Sequence, residues 1–164
     1  MRLVVTGTPG VGKTSVARAL GKKLRHKVVN EKQFALNKGL GKWDPDENEL
    51  VIPLQRFGKA LQQLLKREKN IILEGHLLCE LKLNADFVVL IRVHPELLEL
   101  RLQAKQYSED KVQDNVFCEG IDYCKKHVAR NYPAEKLVEV QSGKTIKETM
   151  QNIIRGLRER GAKL

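Results

Sequence analysis

The chain has 164 residues, of which 30 are Lys or Arg and 20 are Asp or Glu, for a formal net charge of +10. That length holds one α/β domain with a sizeable core, but not a nucleotide-binding domain plus a separate catalytic or receptor domain. Few aromatics argue against a base-stacking nucleic-acid module and no apolar run approaches a membrane span, so the basic excess points to polyanions or simply to lysine-rich exposed helices.

Leu3-Val4-Val5 reads as a buried strand, and Gly7-Thr8-Pro9-Gly10-Val11-Gly12-Lys13-Thr14 follows it, fitting G-x-x-x-x-G-K-[ST]. An ordinary Gly-rich turn can share those residues by chance, but the strand before and the helical pattern after are the context a phosphate-binding loop requires. Small residues let successive N–H groups converge on the β- and γ-phosphates, and the next helix adds the partial positive charge of its N-terminus. In such a loop Lys13 bridges phosphate oxygens and the Thr14 hydroxyl ligates Mg²⁺.

A helix is expected over 13–24, since Val16, Ala19, Leu20 and Leu24 recur at helical spacing. A strand at 27–29 and a short helix at 31–37 come next, then Gly39 and Gly41, and an acidic turn over 43–49. Pro53 opens a helix to about residue 67. Segments 70–74 and 86–92 are continuous apolar runs rich in β-branched residues and read as buried strands. A helix follows Pro95 to about residue 105. Ser108 is placed to N-cap a long one over 109–130. A last strand at 137–140 precedes a helix starting at Thr145, and the basic tail from Arg155 is expected to fray. This alternation implies a parallel sheet covered on both faces. Cys79, Cys118 and Cys124 form no C-x-x-C pair, so free buried thiols in a reducing compartment are expected and a zinc site is not. The first apolar stretch is too short for a signal peptide, so a cytoplasmic protein is expected.

Phosphate loops serve several reactions. No guanine-reading N/T-K-x-D segment follows a late strand, against a GTPase, whereas a kinase of small substrates needs a second substrate pocket and a basic lid. Segments 30–53 and 105–114 fit these roles. The phosphate loop, Val29-Asn30 with acidic segment 44–49, Glu74-Gly75-His76, Val89-Leu90-Ile91-Arg92, Arg101, and Tyr107-Ser108 with Lys111, Asn115 and Glu119 together resemble a known family. It is that of the small adenylate kinases of isoenzyme 6 type, also described as nuclear-type kinases and as ATPases in small-ribosomal-subunit assembly. The resemblance covers nearly the whole chain.

It implies a three-layer α/β P-loop NTPase of nucleoside-monophosphate-kinase type, with a parallel sheet and a short lid. One domain would span residues 1–164, with a monophosphate region at 30–53 and a lid at 104–114. ATP would be held by Gly10, Gly12, Lys13, Thr14 and Ser15, with Arg101 on the adenine and Lys144 in a further nucleotide contact. Lys105 stands where related kinases place a phosphate-contacting Arg; it keeps the charge but loses the planar two-pronged donor, and a solvated helix end is its other reading. Glu74 replaces the family's usual Asp. Its carboxylate would support the Mg²⁺ water shell, beside Thr14, or orient an attacking water. His76 would position water or the phosphoryl acceptor, unless it is only a polar residue at a loop mouth. Lys13, Glu74 and His76 are thus the implied catalytic set, while His94 and His127 read as structural or surface residues.

Relatives carry acceptor-clamping arginines where this chain has Leu36 and Leu77-Leu78-Cys79, which weakens the expected grip on the acceptor phosphate and shifts weight toward ATP hydrolysis. The implied function is a Mg²⁺-dependent adenylate kinase, ATP plus AMP giving two ADP, with ATPase activity and a role in small-ribosomal-subunit maturation beside a platform protein and rRNA. Two alternatives stay open: a nucleotide-switched assembly factor with little kinase activity, and a kinase of a non-nucleotide metabolite such as shikimate or gluconate.

Overall fold

The computed structural model describes residues 1–46 and 48–164; Glu47, part of the acidic segment singled out above, lies outside the described residues. In chain order the elements are β1 (Arg2–Thr6), α1 (Lys13–Leu24), β2 (Lys27–Asn30), α2 (Glu31–Asn37), β3 (Lys42–Asp44), β4 (Glu49–Val51) and α3 (Leu54–Arg67). Then follow β5 (Ile71–Glu74), β6 (Phe87–Arg92), α4 (Pro95–Gln103), α5 (Glu109–Gly120), α6 (Tyr123–Asn131), β7 (Leu137–Gln141) and α7 (Ile146–Glu159), with 3₁₀ turns at Leu77–Glu80 and Ala134–Lys136.

The main sheet is parallel throughout, in the order β2-β5-β1-β6-β7. Its apolar runs are continuous because both faces are covered. Successive side chains alternate between two cores. Leu3, Val5, Ile72, Val89 and Ile91 meet Val16 and Leu20 of α1, Leu98 and Leu102 of α4, and Ile153 and Leu157 of α7. Val4, Ile71, Leu73, Val88 and Leu90 meet Phe57, Leu61 and Leu65 of α3 and Cys124 and Val128 of α6. β1 lies centrally, and the chain leaves it first toward β2 and later, from β5, toward β6 on its other side. A crevice therefore opens at the carboxyl end of β1, where ligands of open α/β sheets bind.

Three expectations change. The acidic turn is a β-hairpin, with Trp43 paired to Leu50 across β3 and β4, and among the described residues of that segment only Pro45, Asp46 and Asn48 turn. A Cβ on Gly41 would collide with Leu50, so glycine lets the hairpin fold back onto that side chain. The long helix over 109–130 is two helices, because Asp122 adopts a left-handed conformation (φ 60°) and its carboxylate accepts a 2.5 Å bond from Arg92 at the end of β6. The chain bends there, and α6 packs against β6 and the 3₁₀ turn Leu77–Glu80. The basic tail is helical to Glu159, since Leu157 is buried and Gly156 packs on Val138. Smaller adjustments affect the caps: Pro53 is the N-cap of α3 rather than its first residue, and Ser108 occupies the N-cap position of α5 without a side-chain hydrogen bond.

Candidate functional site

Among the described residues the buried polar side chains are Thr6, Thr8, Lys13, Glu31, Glu74, Glu119 and Thr149, and all but Thr149 surround the loop after β1. Burying polar groups costs free energy unless they are paired, so their concentration at one sheet edge marks the site. The loop turns into α1 through Gly12 in a left-handed conformation (φ 100°), and no side chain caps the helix. The first N–H groups of this 12-residue helix are therefore left to face an anion. Gly10 (φ 93°) is needed for close approach as well as for its dihedral, because a Cβ there would strike Leu98 and Leu102 of α4. Lys13 Nζ donates to the Thr8 carbonyl at 2.9 Å across the loop. Burial holds its pKa below the ordinary lysine value, against the opposing pull of Glu31 and the other acidic groups nearby.

The wall opposite the loop is built by the ends of β2 and β5, which lie side by side. Asn30 donates to Glu74 Oε1 at 2.6 Å while its own Oδ1 caps α2 through Gln33 N. Thr14 Oγ1 donates to Glu74 Oε2 at 3.3 Å. Glu31 accepts from the backbone N–H of His76 at 2.8 Å through Oε1, and its buried Oε2 has no hydrogen-bond partner among the described residues. Burial raises the Glu31 pKa, against the backbone hydrogen bond from His76 and the nearby Lys13 charge. Gly75 makes this possible, since any Cβ there would overlap the Glu31 carboxylate. A hydroxyl and two carboxylates, one carrying an orphan oxygen, form the hard-oxygen donor set that suits a Mg²⁺ retaining several of its waters. Thr14 and Glu74 would hold it, with Glu31 behind them. The ion would neutralise phosphate charge.

His76 is half-buried, with Nδ1 lying 3.2 Å from the Gly7 carbonyl and 3.6 Å from Cys124 Sγ. Burial alone would lower its pKa. The Cys124 sulfur and the Gly7 carbonyl outweigh it and leave the imidazole pKa raised. On the far side of the loop, Glu119 of α5 accepts from Thr8 Oγ1 at 2.5 Å, Arg92 Nε at 2.6 Å and Val93 N at 3.2 Å. One carboxylate thus ties the phosphate loop, β6 and α5 together.

Two cavities share Gly12 and Ser15. A cleft of about 280 Å³ is lined by the loop with Lys13 and Thr14, by Asn30, Glu31 and Lys32, by Glu74 and His76, and by Lys105 and Tyr107. The adjoining cavity, about 140 Å³, is walled by Arg101 and the segment 142–146, including Lys144. Arg101 donates to Ser142 Oγ at 3.0 Å. Although Arg101 and Lys105 are four residues apart, α4 ends at Gln103 and the two side chains enter different cavities. Lys111 of α5 meets Glu49 Oε1 and the Asn48 carbonyl, each at 3.4 Å, so α5 and the β3–β4 hairpin touch.

Gly10, Gly12, Lys13, Thr14, Ser15, Glu74, His76, Arg101, Lys105 and Lys144 all line these two cavities. Sequence reasoning missed Glu31 and Lys32, whose only signal was their position directly after a strand at the loop's edge of the sheet. It named Glu119 but gave it no role. His94 is largely exposed and His127 stacks on Tyr123 at 4.4 Å, both away from the cavities.

The AAA domain family matches residues 3–122. A Pyrococcus furiosus protein described as "Putative adenylate kinase" is 38% identical over 94% of this chain and 82% of its own length. One from Thermococcus kodakarensis with the same description is 37% identical over 99% of this chain and 88% of its own. In structure the chain is similar to shikimate kinase from Acinetobacter baumannii, with a TM-score of 0.71 at 17% identity, covering 99% of this chain and 95% of that one. A Sinorhizobium meliloti gluconokinase gives a TM-score of 0.64 at 14% identity, over 96% of this chain and 91% of its own, and both likenesses concern the fold. With the phosphate loop, the central parallel sheet and these relatives in hand, the chain belongs to the small adenylate-kinase-like family of P-loop phosphotransferases.

Proposed function

We propose that the protein is a Mg²⁺-dependent adenylate kinase of the cytoplasm, one domain over residues 1–164, transferring the γ-phosphoryl group of ATP to AMP, with hydrolysis of ATP when water takes the acceptor's place. The observation that carries this reading is the make-up of the cleft. Its walls come at once from the phosphate loop, from residues 30–32 at the head of the monophosphate region, and from Lys105 and Tyr107 in the lid segment. A nucleotide-gated switch needs only the first of these, whereas transfer between two bound phosphates needs all three. Arg101 and Lys144 border the cavity assigned to the adenine of ATP. Lys13 and Lys105 stabilise the charge that spreads over the transferring phosphoryl group, and Lys32, which lines the same cleft beside Glu31, supplies acceptor-side charge. Glu74 and Thr14 hold Mg²⁺. His76 orients the acceptor or water.

Purified protein with ATP and Mg²⁺ is expected to form ADP from AMP in excess of the phosphate it releases. Phosphate release unaccompanied by AMP consumption would leave only the hydrolase. His76→Gly separates turnover from binding, because glycine keeps the backbone N–H bonded to Glu31 and loses only the imidazole. Its kcat is expected to fall about 10²-fold, with ATP affinity by calorimetry unchanged; equal losses in both would contradict the assigned role.

The net charge of +10 and the sequence resemblance support a second role, nucleotide-dependent association with a small-subunit ribosomal platform protein and rRNA. Co-purification with small subunits that does not respond to ATP would remove it. No helix among the described residues is long and apolar enough to cross a membrane.

A further inference from the structure

Cys79 and Cys124 lie far apart in sequence, yet their thiols and the His76 ring nitrogen all fall within 4.8 Å of one another. The grouping has a clear structural origin. His76 precedes the 3₁₀ turn Leu77–Glu80, and Cys79 is three residues further on, the spacing at which side chains of a 3₁₀ turn eclipse. Cys79 N donates to the His76 carbonyl at 3.3 Å, which closes that turn. Cys124 enters from the first turn of α6, and Asn131 on the same helix donates to the Cys79 carbonyl at 3.0 Å, fixing helix against turn. The break at Asp122 is what brings α6 here.

We infer that His76, Cys79 and Cys124 form a binding site for a thiophilic divalent cation of the zinc type, separate from the hard-oxygen Mg²⁺ site at Thr14 and Glu74. Two thiols and an imidazole are soft and borderline donors, which select zinc over magnesium. The separation of His76 Nδ1 and Cys124 Sγ is 3.6 Å. A tetrahedral centre with Zn–N of about 2.0–2.1 Å and Zn–S of about 2.3 Å has an N···S edge of about 3.6 Å. Thr8 Oγ1 lies 3.9 Å from Cys124 Sγ on the loop side. Cys79 and Cys124 are buried, but His76 borders the nucleotide cleft, so the ion enters from the cleft and a water from it completes the fourth position.

Binding displaces protons from both thiols, and His76 coordinates through Nδ1 as the neutral imidazole with its proton on Nε2. The imidazole exchanges its contact with the Gly7 carbonyl for the metal. An occupied site therefore withdraws His76 from the phosphate loop, which makes the cation an inhibitor of turnover; this consequence rests on the role proposed for His76, whereas the site itself does not.

The test is made without nucleotide. Reduced, metal-free protein titrated with Co²⁺ is expected to develop a thiolate-to-cobalt charge-transfer band and tetrahedral visible bands at one equivalent, both bleached by Zn²⁺. Cys79→Ser and Cys124→Ser should each abolish the charge-transfer band, and Cys118→Ser should keep it. X-ray absorption of the zinc-loaded wild type should show two sulfur and at least one nitrogen neighbours, a readout independent of how the variants fold. Absence of the band, its loss in Cys118→Ser, or an all-oxygen and nitrogen shell would overturn the site. None of those results bears on AMP phosphorylation, which is measured separately.

Discussion

Lys13→Met is expected to abolish both ADP formation and ATP hydrolysis, lowering kcat by about 10²–10³-fold or more, the scale for removing one preorganised group that stabilises transition-state charge. Lys13 is buried, and its ammonium bonds to the Thr8 carbonyl at 2.9 Å. The loop thus holds the cation at the head of α1, where little reorganisation is required for it to meet a phosphate. Methionine has nearly the same length and no charge, so the loop keeps its shape and loses its function.

Stability should move the other way. Burial lowers the Lys13 pKa in the folded chain, so between that lowered value and the ordinary 10.5 the unfolded chain binds more protons. The wild type therefore carries a penalty at neutral pH that diminishes as pH rises through this window. Nucleotide-free Lys13→Met should melt no lower than wild type at neutral pH, and the difference between them should narrow toward alkaline pH. A large drop in Tm instead would make Lys13 a structural residue.

The second large effect is expected at Glu119. Glu119→Ala should destabilise the fold by about 3–5 kcal/mol, the cost of leaving a buried charge without its partner, and lower Tm by roughly 6–20 °C. Its carboxylate is only 2% exposed, and truncation leaves Arg92, Thr8 and the Val93 N–H without their shared acceptor. Arg92 retains Asp122 and Glu139, both more exposed, which offset only part of the loss. Because Thr8 belongs to the phosphate loop, ATP affinity should fall together with stability. Glu119→Gln keeps the shape and one acceptor oxygen and should lose less of both. Calorimetric melting with nucleotide titration checks this; an Ala variant that melts with wild type would show that the three donors find other partners.

The parts of this site that were legible in the sequence are those whose chemistry is carried by neighbours in the chain. Gly7 to Thr14 encode their own conformation, through small residues and positive φ at Gly10 and Gly12, and the apolar runs around them encode the strand and helix they join. Glu74-Gly75-His76 could be read through the family resemblance, which implies a carboxylate and a histidine at that strand end. Hairpin and helix break were not legible. Trp43 and Leu50 form a pair only once the chain doubles back, and nothing in the helical periodicity of 109–130 anticipates that Arg92 draws Asp122 out of the helix.

What the sequence by itself determined is the phosphate cradle and the parallel α/β architecture, since each rests on local spacing and on apolar runs whose period does not depend on distant residues; the adenylate-kinase-like family was legible through the resemblance of its motifs. Tertiary structure alone decided which polar groups share a cavity. Glu31 reaches the back of Gly75, Glu119 fastens Thr8, Lys105 and Arg101 part into separate cavities, and Cys124 joins His76 and Cys79. The physical reason is that burial and pairing energies depend on through-space distances of a few ångströms between residues separated by tens of positions, and those distances exist only after the parallel strands have brought their carboxyl ends to one edge.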